Sequence, residues 1–120
     1  MRPKKATITK WNHDLSYAIG LLVTDGNLSS DGRHINFTSK DKELAELFKS
    51  CLSLKNKIGK KSNGSTKVKK YYIVQFGDIN FYRWCQSIGI MPRKSKIIAE
   101  IKIPNKYFFD FLRGCSDGDG

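Results

Sequence analysis

Residues 18–26 read AIGLLVTDG, and residues 112–120 read LRGCSDGDG. Set one over the other, they bring Gly20 onto Gly114, Asp25 onto Asp119 and Gly26 onto Gly120. Each nonapeptide closes an amphipathic run, has a glycine inside the helical part and places an acid at the end. Both features are local liabilities. Glycine within a helix costs ~1 kcal/mol relative to alanine, and an acid at a helix C-terminus meets the negative end of the macrodipole, at ~0.3–1 kcal/mol. One arrangement accounts for both. Two helices packed face to face through Gly20 and Gly114, C-termini together, would let their backbones approach. They would also place Asp25, Asp119 and the carbonyls of Thr24 and Gly118 around one negative site. Oxygen-only ligands suit Mg²⁺ or a similar divalent ion such as Mn²⁺.

The rest of the chain frames that pair. Residues 13–24 have helical spacing, with Asn12 or Asp14 as cap and Asp25-Gly26-Asn27 as stop. Ser29–Gly32, SSDG, is a tight turn between a strand at Leu28 and a strand at residues 33–38. Residues 41–54 form a second helix, with Leu44, Leu47, Phe48, Cys51 and Leu52 on its apolar face and Ser39 or Asp41 as cap. A second hairpin runs from residues 56–61 to residues 68–76. A third helix covers residues 79–88, capped by Asp78 and ended by Gly89. After a basic connector, Pro104-Asn105 opens a last helix from Lys106 to about Ser116. The fold class is α+β, in the order α-ββ-α-ββ-α-α, with an antiparallel sheet covered by helices on one face only. Residues 1–11 read as a basic extension, 12–104 as a repeat and 105–120 as the second motif helix.

Charge restricts the partners. The chain carries 22 Lys+Arg against 11 Asp+Glu, a net charge of +11. Residues 55–70, KNKIGKKSNGSTKVKK, hold seven lysines and no acid. Such a run is solvated or faces a polyanion, and nucleic acid is favoured because tyrosines and a strand follow it directly. The stretch has no amphipathic helical pattern for a membrane surface, no apolar run approaches the ~20 residues that span a bilayer, and the N-terminus lacks the apolar core of a signal peptide. Cys51, Cys85 and Cys115 are odd in number and far apart, which points to free thiols in a reducing, intracellular compartment.

The two nonapeptides, and the element order between them, resemble the LAGLIDADG homing endonucleases over essentially the whole chain. The resemblance implies a saddle of two repeats, with the paired motif helices as its floor and two curved sheets in the DNA major groove. It implies that Asp25 and Asp119 are the metal-binding, catalytic acids. Lys40, where strand meets second helix, corresponds to the family's active-site basic residue. Ser39 stands where relatives often carry glutamine. Asp117 matches an acidic consensus position at which the first motif has Val23, and takes no metal role.

Phosphate contacts are expected from Lys57, Lys60, Lys61, Lys67, Arg93, Lys94 and Lys96. Sequence reading is expected from Arg33, His34, Asn36 and Thr38 on one strand and Lys69, Tyr71 and Gln75 on another, with Tyr72, Val74 and Phe76 in the core. The expected activity is metal-dependent hydrolysis of double-stranded DNA. Because the second motif closes the sequence, it reads as the N-terminal half of a longer enzyme, completed by a second repeat in cis or by a homodimer partner; alone, the 120 residues are expected to fold and bind DNA but to cleave poorly or not at all. Two alternatives remain open: a nucleic-acid-binding module without catalysis, maturase-like or regulatory, and a basic RNA-associated structural domain.

Overall fold

The computed structural model describes residues 10–55, 58–62, 70–90 and 101–119, with the backbone alone at residues 60–62, 70 and 119. The fold is α+β. Helix α1 (His13–Asp25) leads into strands β1 (Gly26–Leu28) and β2 (His34–Ser39), then helix α2 (Lys42–Cys51). Strands β3 (Gly59–Ser62) and β4 (Lys70–Gly77) follow, then α3 (Ile79–Ser87), a 3₁₀ turn (Asn105–Tyr107) and α4 (Phe108–Asp119). The strands form one antiparallel sheet in the order β1-β2-β4-β3.

Short polar side chains start the helices, as their preference for N-caps dictates. Asn12 Oδ1 accepts from the Leu15 amide at 2.7 Å. The Asp41 carboxylate accepts from Glu43 at 2.9 Å, and that of Asp78 from Phe81 at 3.0 Å. The β1–β2 turn falls on SSDG, with Gly32 in the left-handed region at φ +80°. The Asp31 carboxylate holds it by accepting from the Arg33 and His34 amides at 2.8 and 2.9 Å. Tyr82 of α3 fastens the same turn by donating its hydroxyl to the Ser29 carbonyl.

Alternation along β2 and β4 sends Ile35, Phe37, Val74 and Phe76 under the helices, where they are buried. Phe37 stacks on Phe48 of α2, ring centroids 4.7 Å apart, and Phe76 lies 5.8 Å from Phe81 of α3. His34, Asn36, Thr38, Tyr71 and Gln75 lie on the other, open face. This is the parity expected from the sequence.

Four expectations need correction. The last helix, expected from Lys106 to about Ser116, runs instead from Phe108 to Asp119, because residues Asn105–Tyr107 wind as a 3₁₀ turn and the glycine contact carries the helix on past Ser116. Helix α2 ends at Cys51 rather than residue 54, because Ser53 turns left-handed at φ 56°. Its buried face centres on Ala45, Phe48 and Leu52, so Leu47 rotates out and is 44% exposed. Strand β2 begins at His34, so Arg33 sits in the turn and not on the sheet face. There it lines an open cleft with Tyr82, Arg83 and Gln86 of α3.

Candidate catalytic end of a helix pair

Helix α1 is buried all round, from Leu15 to Val23. One side meets the sheet and α2. The other meets α4, and there the two glycines decide the spacing. A Cβ on Gly20 would collide with the Phe111 carbonyl and stand 2.7 Å from the Cys115 nitrogen. A Cβ on Gly114 would collide with the Tyr17 carbonyl and stand 3.1 Å from the Gly20 Cα. No side chain longer than hydrogen fits at either crossing point, so the helix backbones themselves touch. Tyr17 and Phe111 occupy equivalent motif positions, and the contact is accordingly close to two-fold symmetric.

The order of contacts fixes direction. Tyr17 and Gly20 meet residues 111–115, while Leu21 and Thr24 meet Gly118. Both chains advance the same way, so the helices run parallel and their C-termini share one end. A Cβ on Gly118 would overlap Thr24 Oγ1 and lie 3.6 Å from the Leu21 Cα. Thr24 and Gly118, whose carbonyls were expected to face a common site, are thus in contact across the pair. Asp25 is the last residue of α1 and is exposed; Asp119 is the last residue of α4.

Electrostatics at this end favour a cation. Each helix terminus carries the equivalent of about half a negative charge, and two of them coincide beside acids. Among the described residues no group of three or more His, Cys, Asp or Glu side chains gathers around a point. Carboxylate and carbonyl oxygens, the donor types at the ends of α1 and α4, are of the kind Mg²⁺ accepts, since that ion keeps several waters and takes few carboxylates.

Asp117 is engaged elsewhere. The Tyr17 hydroxyl donates to its Oδ2 at 2.6 Å across the helix pair. Burial, then the bond to Asp117 and its charge, push the Tyr17 phenol above its usual range. The symmetry-equivalent positions hold Phe111 and Val23, both buried and apolar. Hydroxyl and acid occur together on one side, and neither occurs on the other. This explains why the two motifs differ at that position, and the sequence offered no sign of it. At the opposite end His13 Nδ1 lies 2.5 Å from Asp110 Oδ2, and Arg113 stacks its guanidinium on the Tyr17 ring at 4.6 Å. Polar ties therefore flank the glycine contact along one side of the pair.

Lys40 is exposed between β2 and α2. The register pairs Gly26 with Phe37, so Lys40 lies at the end of the sheet where α1 delivers Asp25. Ser39 is buried and its hydroxyl accepts from the Asp41 amide at 3.0 Å, a turn-forming role. The backbone of β3 pairs Lys60 with Tyr72 and Lys61 with Tyr71. Lys57, Lys67, Lys69, Arg93, Lys94 and Lys96 lie outside the described residues. Asn27 is a residue that sequence reading used only as a helix stop. It is exposed on the open face of β1, in register with Asn36. The alternation in Gly26-Asn27-Leu28 is the signal that could have found it.

No protein-family model matches the chain, and no curated protein matches it in sequence. Among the described residues no helix is long and apolar enough to cross a membrane.

Proposed function

We propose that the chain is a DNA-cutting repeat of the LAGLIDADG homing-endonuclease type, which hydrolyses phosphodiesters in double-stranded DNA with Mg²⁺ or Mn²⁺. The observation that supports this reading is the parallel, glycine-mediated helix pair, whose C-terminal ends, each carrying one motif acid in the sequence, come together at Thr24 and Gly118. Asp25 and Asp119, with the Thr24 and Gly118 carbonyls, are the groups that would hold the ion. Bound there, it would supply Lewis acidity and a more acidic water. Lys40 offsets charge that builds on the phosphate. His34, Asn36, Thr38, Tyr71 and Gln75 face the bases. The lysines of residues 55–70, with Arg93, Lys94 and Lys96, neutralise phosphates, so affinity falls steeply with salt.

The outer side of α4 supports a partner. Phe109 is 76% exposed and Leu112 43% exposed, at the motif positions equivalent to the buried Leu15 and Ala18. A second repeat, in the same chain or from another copy, would cover them and complete a two-sheet saddle.

A non-catalytic nucleic-acid-binding module is the second reading. The polar sheet face and the net charge of +11 favour both equally; the joined helix ends favour only the first. Nicking of supercoiled plasmid, with enzyme in excess and Mg²⁺ or Mn²⁺ present, separates them. Asp25→Asn should keep DNA affinity and lose nicking by roughly a hundredfold or more, the scale at which removing one electrostatic catalytic group acts. Equal DNA binding with no Asp25-dependent nicking, at chain concentrations where sedimentation shows the paired state, would put the second reading in its place.

A further inference from the structure

Three carboxamides stand in one straight row across the open face of the sheet. Asn27 of β1 is directly opposite Asn36 of β2, and Asn36 is directly opposite Gln75 of β4. Residues paired across neighbouring strands point to the same face. Their neighbours in sequence, Leu28, Ile35, Phe37, Val74 and Phe76, are buried on the opposite one. Strands lie about 4.8 Å apart, so the row spans roughly 10 Å, which is close to the width of the B-DNA major groove, about 12 Å.

Neighbouring rows have different chemistry. Toward Asp25 the next row is Thr38, Ile73 and Gly59, a hydroxyl, a branched alkyl group and no side chain. Toward the turn it is His34 opposite Gly77. Successive rows are two residues apart along a strand, about 6.8 Å, or roughly two base-pair steps of 3.4 Å. The amide row therefore addresses its own one or two base pairs.

A carboxamide offers one donor and one acceptor side by side. Adenine presents the matching acceptor N7 and donor N6 in the major groove, whereas guanine presents two acceptors, which arginine or lysine matches and a carboxamide does not. Among the described residues, the row contains no basic side chain. Resting on the DNA-binding reading above, we propose that Asn27, Asn36 and Gln75 form a specificity element that selects A·T pairs at the one or two positions beneath them. Double-stranded RNA does not fit this arrangement, because its major groove is too deep and narrow for side chains to read.

The test is selection of bound duplexes from a randomised DNA pool by the full chain without added metal ion, which needs no cleavage. The wild-type consensus should contain an A·T column. Asn36→Ala and Gln75→Ala should each relax that column by roughly tenfold, the value of one bidentate base contact, and leave other columns and thermal stability unchanged. Gln75→Glu should move the preference toward C, whose N4 amine donates to a carboxylate. Thr38→Ala, one row away, should leave the A·T column as it is. The proposal is overturned by a sequence-selective wild-type consensus whose columns ignore all three amide substitutions. Retention of duplex RNA over duplex DNA also overturns it. Failure of the underlying reading is visible earlier, as no duplex DNA retained at all, whereas loss of the nuclease assignment alone would leave this selection intact.

Discussion

Helices α1 and α4 carry the same nine-residue pattern in opposite surroundings. Around Gly20, the residues Leu15, Ala18, Ile19 and Leu22 are buried against a sheet and a second helix. At the equivalent positions around Gly114, Phe109, Leu112, Arg113 and Ser116 are exposed. On the inner face of each helix glycine lets backbone touch backbone in nearly the same way, although Tyr17, Leu21 and Thr24 have Phe111, Cys115 and Gly118 as their equivalents. The motif therefore specifies the contact between the helices and the placement of the acids, while the residues between its fixed points record what lies on the outer side. In α1 that is a built domain. In α4 it is the chemistry of a surface on which three large apolar groups, Phe108, Phe109 and Leu112, are exposed.

The strongest way to break the comparison is at the shared face. Gly114→Leu should cost about 3 kcal/mol or more, the upper range for overpacking, because the obstacle is backbone and cannot rotate away. Denaturant unfolding would measure it, and a loss below about 1 kcal/mol would mean the helices are not in contact. On the outer faces the same exercise should diverge. Leu22→Ala removes a buried side chain and should cost about 2–5 kcal/mol, whereas Leu112→Ala should change stability by no more than about 0.5 kcal/mol. Phe109→Lys should leave unfolding equally unaffected and reduce any self-association seen by sedimentation velocity.

A finer test lies in the polar contact that joins the two halves across the glycine crossing, Tyr17 to Asp117. Tyr17→Phe removes the hydroxyl that Asp117 accepts from and should cost about 1 kcal/mol. Adding Asp117→Val, which recreates the Phe and Val of the other half, should recover most of that loss. Because the folded state raises the Tyr17 phenol above its usual value, the unfolded chain releases its proton first. Stability should therefore be intact below about pH 10 and decline as pH rises past it, and Tyr17→Phe should flatten that decline. The smallest effect concerns Cys51, half-buried near this region. Burial and the charge of Asp14 push its thiol up to about 11, against an opposing effect of Arg113. Alkylation by iodoacetamide should accordingly be slow at pH 8 and accelerate toward pH 11. Rapid labelling at neutral pH would show that the thiolate is not suppressed.

Much of this arrangement is legible in the linear sequence because the deciding signals are local. Asn12, Asp41 and Asp78 announce helix starts, SSDG announces a turn, and strict alternation in HINFTS and YYIVQF separates core from open face. Gly20 and Gly114 are legible because each breaks a local preference that only close packing repays. What escaped depends on partners distant in the chain. Leu47 satisfies the helical spacing, yet the stacking of Phe48 on Phe37 sets the rotation of α2 and leaves Leu47 outside. The use of Asp117 is decided by Tyr17, 100 residues away. Asn27 stands next to a helix stop, so its place in a sheet row follows from the β1–β2 register and not from its neighbours. Alternation in the sequence extends to Arg33, and the Asp31-anchored turn cuts it off there.

Asp25 closes its helix and Gly26 opens the sheet, with no linker residue between them. In a nuclease built this way, cleavage chemistry and base reading share one rigid segment, so the offset between the scissile bond and the bases read is a constant of the scaffold. Exchanging the side chains of the open face could retarget such a protein to another DNA sequence without moving the position of the break. Inserting a single residue between Asp25 and Gly26 would instead uncouple the two, sparing recognition and misplacing the cut.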